Sequence, residues 1–361
     1  MVVRLMQQIQ RSILDLIARS GFLCSVYYAL CSGSFRREHR AVVWGRLRHA
    51  NQAGNPSSCR YLLRRNIHLL EKGLLMRPQR EVFALGYIQE TIACYERARQ
   101  LAKVSPELAC ETELQWVSDV LTRYFEVAGP HPIIDSLRGR FQALQADVPQ
   151  RVPTAVPHER GVAGRSPVGY EELLELAHRR RSVRWFLRKP VPRELIDRAI
   201  AVAALSPSAC NLQPFEFRVF DDVELTQEVA SIPTGTVGFG RNFPVVVVLV
   251  GKLHAWPREP DRHLIYIDAS LAAMSFLFAL EAQGLGSCCL NWPDLEPQER
   301  RMAKLLGLEP DDRVIMLIAL GYPDPKGMMT YSQKKPLAEL RSFNLSGCSE
   351  PGNHGDHAGD K

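Results

Sequence analysis

The sequence predicts an α+β protein, a mixed sheet flanked by helices and preceded by a smaller all-helical region. Three observations lead there. Leu62, Leu63, Ile67, Leu70, Leu74 and Leu75 recur at three- and four-residue spacing, which makes one apolar helical stripe. Val245–Val250 is a continuous apolar run, the pattern of a strand covered on both faces. Between the two regions, from about Gln145 to Tyr170, lie Pro149, Pro153, Pro157 and Pro167 with Gly161, Gly164 and Gly169. That stretch cannot hold a helix and reads as an exposed linker. The 361 residues thus divide into a basic helical region (1–145), a linker (146–168), a mixed domain (169–345) and a polar, Gly-rich tail (346–361) expected to be disordered.

In chain order, Ile13–Leu30 is the nearest approach to a membrane span, but Asp15 and Arg19 interrupt it, so it reads as an amphipathic or buried helix. After the 62–75 stripe come helices at Phe83–Ala102 and Leu108–Val127, with Ser105-Pro106 as a start signal between them. No long β-branched pattern precedes the linker. Beyond it, Ser166-Pro167 opens a helix through Glu171–His178, and Pro192 opens another through Leu195–Ala204. A strand follows at Phe215–Phe220, then the apolar strand at 245–250. His263–Gln283 is a long Ala- and Leu-rich helix that Gly284 stops, and Leu285-Gly286 turns the chain into a strand at Ser287–Leu290. Pro297–Leu306 is helical, and Val314–Leu320 is a second buried strand.

The composition narrows the function classes. Nine scattered cysteines include no C-x-x-C pair, which argues against a zinc ribbon or a thioredoxin-type motif and for free thiols in a reducing cytosol. The N-terminus lacks the features of a secretory signal, so a cytoplasmic location is expected. The net charge of +6 is uneven: residues 1–80 hold 14 Lys+Arg against 3 Asp+Glu, and 13 of the 14 are Arg. Such a segment either meets an anionic partner, such as a membrane surface, or packs against acids elsewhere in the chain; no nucleic-acid reading motif accompanies it. On this segment His68 and Glu71 share a helical face, which fits an ordinary polar pair better than a metal site.

Three clusters carry chemistry. Arg179-Arg180-Arg181-Ser182-Val183-Arg184 puts four guanidiniums and a hydroxyl within six residues, enough to grip a phosphate or simply to complement a helix C-terminus. Ser206-Pro207-Ser208-Ala209-Cys210-Asn211-Leu212-Gln213-Pro214 frames two amides between prolines, suited to the edge of a heterocycle or to capping a loop. Cys210 has no His–carboxylate pair beside it and is a poor candidate nucleophile. Gly284-Leu285-Gly286-Ser287-Cys288-Cys289-Leu290-Asn291 combines close backbone approach with a strand, and the adjacent cysteines read as small buried residues. Lys334-Lys335 before Pro336 offers further cations.

In this order the clusters resemble the FMN-dependent nitroreductase family, over roughly Tyr170 to Phe343. The matching pattern is R-R-S-V-R-x-F, then P-S-x-x-N-x-Q-P-aromatic, then G-L-G-S-C, then a basic residue before a closing Pro. Asp268-Ala269-Ser270 resembles the family too. The resemblance implies a nitroreductase-like fold forming an intertwined homodimer with FMN at the interface. It places Arg180, Arg181, Ser182 and Arg184 at the phosphate and ribityl. Pro207, Ser208, Ala209, Asn211 and Gln213 would line the flavin, in part from the other subunit. Cys289, Leu290 and Asn291 would face the isoalloxazine, with Asn291 as a tuning residue, and Lys334 and Lys335 would complete the phosphate site. Asn291-Trp292 stands where the best-known branch has Glu-Gly. The helical N-terminal half lies outside the minimal family fold.

The implied activity is an FMN-dependent oxidoreductase taking hydride from NADH or NADPH and passing it to a nitroaromatic, quinone or similar acceptor, with no metal and no catalytic triad. A branch acting on reduced flavin or on a small metabolite is one rival. A non-catalytic flavin-binding scaffold, docking an anionic surface through residues 1–80, is the other.

Overall fold

The computed structural model describes residues 13–51, 59–106, 110–146, 152–161 and 166–344. The tail assigned to residues 346–361 lies outside the described residues, as do parts of the linker.

Before the linker all regular structure among the described residues is helical. Helix α1 (Gly21–Val26) starts at Ser20, whose Oγ accepts from Leu23 N, and α2 spans Arg36–Asn51. Then come α3 (Arg60–Leu74), α4 (Ile88–Val104), α5 (Glu111–Val127) and α6 (Pro132–Gln145). The expected stripe is the buried face of α3: Leu63, Ile67 and Leu70 pack with Ile88, Ile92, Val117, Leu121, Tyr124 and Phe141 in one core. Two expectations shift. Helix α4 begins at Ile88 rather than near Phe83 because Ala84 takes a left-handed φ of 66°, which a helix cannot pass through. The Ile13–Leu30 helix is broken before Ser20, and Ile13, Leu16, Phe22 and Leu30 are exposed, so it is not a buried helix.

Residues 152–161 contain no helix or strand, and they are not wholly free: Thr154 N and Ala155 N both donate to the buried Asp119 carboxylate of α5, at 3.0 and 2.9 Å.

Beyond the linker, α7 (Tyr170–Arg179) and α8 (Arg193–Ala204) lead to β1 (Phe215–Phe220), α9 (Val223–Ala230) and β2 (Val245–Lys252). Helix α10 (Leu264–Ala282), β3 (Gly286–Leu290), α11 (Glu296–Leu306) and β4 (Asp312–Gly321) complete the fold. The strand order is β1-β2-β4-β3, with every neighbouring pair antiparallel. Among the described residues, parallel pairing enters only as an isolated bridge between Ser182 and Ser287.

Strand β2 explains the unbroken apolar run. Val245, Val247 and Leu249 face α8 and α10, among Ile196, Ala199, Ala269, Phe276 and Leu280. Val246, Val248 and Val250 face the other way, toward Val229, Met302 and Leu317. Both pleat faces are covered, so the alternation of a one-sided strand disappears. Helix α10, with the turn before it, is long and apolar enough to cross a membrane by length and composition, and here it lies on the sheet.

Residues up to Gly327 cluster as one unit, and Met328 onward as a second. The second contains the short helix α12 (Leu337–Leu340) and the exposed Lys334 and Lys335, of which Lys335 pairs with Glu339 at 3.5 Å.

Helix α2 is not expected from sequence. Its buried face consists of Ala41 and Gly45, and a Cβ at Gly45 would sit 2.9 Å from Leu253 Cβ. The helix is held by close approach and by ion pairs rather than by an apolar stripe. Arg37 faces Asp294, Glu296 and Glu299; Arg46 pairs with Glu259, Arg48 with Asp311, and Glu38 with Arg262. Arg60 and Arg64 of α3 share Glu113. The basic segment therefore packs against acids of its own chain, which takes up five of the arginines it would otherwise offer to an anionic surface.

Candidate functional site

Two of the three clusters meet. Val183 N donates to Ser287 O at 2.9 Å, and Ser182 bridges Ser287, so the arginine-rich segment lies along the outer edge of β3. Gly286 permits this approach, because a Cβ there would fall 2.9 Å from a Val183 methyl. A residue the sequence does not single out fixes the segment. Asn242 accepts from Phe186 N through Oδ1 at 3.0 Å and donates from Nδ2 to Arg184 O at 2.5 Å. With the partners 56 and 58 positions apart, no local pattern betrays this staple.

The cations of this segment are not consumed. Arg179 pairs loosely with Glu281 at 3.6 Å, and Arg184 lies over the Phe239 ring, 5.9 Å from its centroid. Arg180 and Arg181 are half-buried and have no carboxylate partner among the described residues. Their charge is felt at the strand. Burial raises the Cys288 thiol while the Arg184 guanidinium, the Ser182 hydroxyl and Arg180 oppose it. Cys289 reaches solvent, but crowding by protein around its thiol, with Cys288 beside it, pushes it up to about 11. Both thiols stay protonated at neutral pH, which makes them poor nucleophiles. The expectation that both cysteines are buried holds for Cys288 alone, since successive strand residues point to opposite faces.

The strand leaves the sheet at Leu290, which is buried, and Asn291, which is exposed. Trp292 is buried, and its indole Nε1 donates to Glu299 Oε1 at 2.6 Å. The bulk at this departure from the family pattern thus points into the protein.

The third cluster is elsewhere. Pro207–Gln213 runs into β1, at the opposite edge of the sheet from β3. Three inter-strand spacings separate those edges, about 14 Å. Within one chain the Pro207–Gln213 loop and Arg180–Arg184 do not come together.

This loop is strained and heavily braced. Cys210, Asn211 and Gln213 have φ of 51°, 52° and 49°, the left-handed region that non-glycine residues enter at a cost of about 1 kcal/mol or more each. Asp268, 2% exposed on α10, accepts from Ala209 N with both carboxylate oxygens at 3.1 and 3.2 Å. Burial raises the Asp268 carboxyl above its ordinary value, and the Ala209 N–H works against that. Ser208 Oγ accepts from Gln213 N at 3.1 Å, and Gln213 Nε2 donates to Ala204 O at 2.9 Å. The Asn211 side chain makes no hydrogen bond to another described residue. An open cavity of ≈ 390 Å³ adjoins the loop, bordered by Arg60, Tyr61, Arg64, Gln213, Phe215 and Phe217.

Two possible metal sites are occupied by ordinary pairing. His68 Nδ1 lies 3.4 Å from Glu71, which also accepts from Trp116 Nε1 at 2.8 Å. His254, Asp311 and Asp312 bring ligand atoms within 4.8 Å of one another, but Arg48 and Lys252 already neutralise the carboxylates.

Comparison with known proteins adds to this geometry. The Nitroreductase family profile matches residues 177–234 and 224–322. A protein of Archaeoglobus fulgidus named NADH dehydrogenase/NAD(P)H nitroreductase is 32% identical over 161 residues, covering 42% of this chain and 86% of that protein. Iodotyrosine deiodinase 1 of Pongo abelii is 24% identical over 197 residues, 47% of this chain and 67% of that one. Among solved structures, an FMN-dependent nitroreductase of Clostridium difficile covers 48% of this chain and 99% of its own, at 24% identity and a TM-score of 0.41.

Proposed function

Because the C-terminal half of this chain belongs to the nitroreductase family, we propose that it is an FMN-dependent oxidoreductase, drawing on NADH or NADPH and reducing a nitroaromatic, quinone or similar acceptor as a homodimer. The observation that carries this reading is the pair Arg180 and Arg181. Half-buried guanidiniums beside an open strand edge, with no carboxylate partner among the described residues, suit a dianionic phosphate.

The chain's residues divide the work. Arg180, Arg181, Ser182 and Arg184 hold the phosphate and ribityl chain. Leu290 and Asn291 border the ring at the end of β3, where Asn291 and main-chain N–H groups favour negative charge on it. Pro207, Ser208, Ala209 and Asn211 form the opposite wall, contributed by a second copy of the chain because one sheet separates the two edges. Gln213, whose amide is already engaged, supports that wall from behind. When bound, FMN supplies the hydride chemistry that none of these side chains can.

An exposed apolar face supports the second copy. Ile267, Leu271 and Met274 recur at helical spacing on α10 and are 53%, 44% and 37% exposed, an apolar stripe that Val202 and Leu205 extend.

The test is a visible spectrum of the purified protein, then anaerobic titration with NADH and NADPH. Yellow protein that bleaches supports the reading. Colourless, folded protein that takes up no FMN ends it, and bound flavin that resists both donors favours the scaffold alternative. An iodotyrosine belongs among the acceptors assayed, because the similarity to iodotyrosine deiodinase spans 197 residues.

A further inference from the structure

The helical N-terminal region packs on the Pro207–Gln213 loop through Ala41 and Tyr61 and braces it with hydrogen bonds from Arg64. Arg64 of α3 is 14% exposed, and its guanidinium makes a fork across the strained turn. Nε and Nη2 both donate to Asn211 O, at 3.2 and 3.0 Å, and Nη2 also donates to Gln213 Oε1 at 3.2 Å. Nη1 donates to Glu113 Oε1 at 3.0 Å, and Glu113 is 9% exposed. The guanidinium plane lies over Trp116, 5.4 Å from its centroid. Two helices are thereby spent on aiming one cation: α3 carries it, and α5 supplies both its counter-ion and its aromatic platform, while Trp116 is itself held by Glu71 of α3. The residue whose carbonyl receives the fork has a left-handed φ and a side-chain amide with no partner among the described residues.

We propose that Arg64 is a positioning residue for the cofactor-facing loop, so that the N-terminal helical region is a structural part of the flavin site; this rests on the FMN reading above. Asp268 fixes the loop at Ala209 and Arg64 fixes it at Asn211 and Gln213. Between the two anchors the strained residues keep the one conformation that leaves the Asn211 amide free. Without the fork, the left-handed residues relax and the amide is no longer held in place before the cofactor arrives. Arginine suits the task because a planar fork can meet a carbonyl twice, which lysine cannot.

The test compares full-length wild type, Arg64→Met and Arg64→Lys, each stripped of flavin and titrated with FMN by fluorescence quenching. Amide exchange over residues 208–213 and the visible circular dichroism of the loaded proteins are recorded alongside. Arg64→Met should bind FMN roughly tenfold or more weakly, with faster exchange in the loop and an altered flavin dichroism. Arg64→Lys should recover part of the affinity through a single hydrogen bond. Wild-type affinity, within twofold, in both variants overturns the proposal. Should Arg64→Met fail to fold, the same criterion applied to Arg64→Lys decides it. A wild type that binds no FMN overturns the cofactor reading itself and this proposal with it, an outcome distinct from variants that bind normally.

Discussion

Two arginine-rich segments of this chain look alike in composition and are used in opposite ways. Arg37, Arg46, Arg48, Arg60 and Arg64 each meet a carboxylate of the same chain, and two of those carboxylates, on Glu299 and Asp311, belong to buried residues. Arg180 and Arg181, half-buried beside β3, meet none among the described residues. Density of charge does not separate a segment whose arginines are paired within the protein from one whose arginines are left open. Accounting for the counter-ions does, because a half-buried cation is costly unless something anionic joins it.

The comparison is most sharply broken by removing the unpaired cations. Arg180→Ala with Arg181→Ala should weaken FMN binding by two orders of magnitude or more, at about 1.5–3 kcal/mol per charge-assisted contact. The unfolding midpoint of the flavin-free protein should hardly move, since no internal pair is lost. Equal FMN affinity in the double variant would refute the assignment of that segment to the phosphate.

The opposite result is expected of Arg37→Met. It removes the ion pair of the buried Glu299, while Asp294 keeps Arg313 and Glu296 keeps Arg300, and should cost about 2–3 kcal/mol of stability in denaturant titrations. A variant as stable as wild type would mean that the α2 pairs are incidental.

A smaller effect is set by pH. Burial pushes the Asp311 carboxyl up, yet the His254 ring nitrogen at 2.6 Å and Arg48 together hold it below the ordinary value of 3.8. A carboxyl depressed on folding adds stability that is complete above its unfolded value and lost as pH falls through its folded one. Wild type should therefore lose stability more steeply than Asp311→Asn as pH falls below the ordinary carboxyl value of 3.8. Parallel profiles would show that this pair contributes nothing. Least of all should change on Arg19→Ala, whose pair with Asp15 is exposed on both sides, at 73% and 67%. A shift beyond about 0.5 kcal/mol would contradict the distinction between buried and solvated pairs.

The elements that bury large apolar side chains are legible in the sequence. The α3 stripe, the β2 run and the Gly284 stop each follow from a local pattern. Helix α2 is not, because a face of Ala41 and Gly45 gives periodicity nothing to detect, and its partners Glu259 and Asp311 lie 213 and 263 residues away. The candidate site divides the same way. The residue types of the three clusters are readable, whereas their separation to opposite edges of the sheet is not. What braces them is hidden: Asn242 behind Arg184 and Arg64 behind Asn211 act across more than fifty residues, through hydrogen bonds that impose no pattern on their neighbours. Asp268 stands out in the sequence only through the resemblance, and its task becomes visible with Ala209 N against its carboxylate.

The indole of Trp292 hands its hydrogen to Glu299, and Glu299 in turn is balanced by Arg37, near the beginning of the described chain. A protein trimmed to residues 169–345 for convenience would keep the tryptophan and the acid but discard the balancing charge, one residue from the place where the flavin ring is expected. Such a fragment should come out insoluble or poor in colour, and its failure would say nothing about the intact molecule.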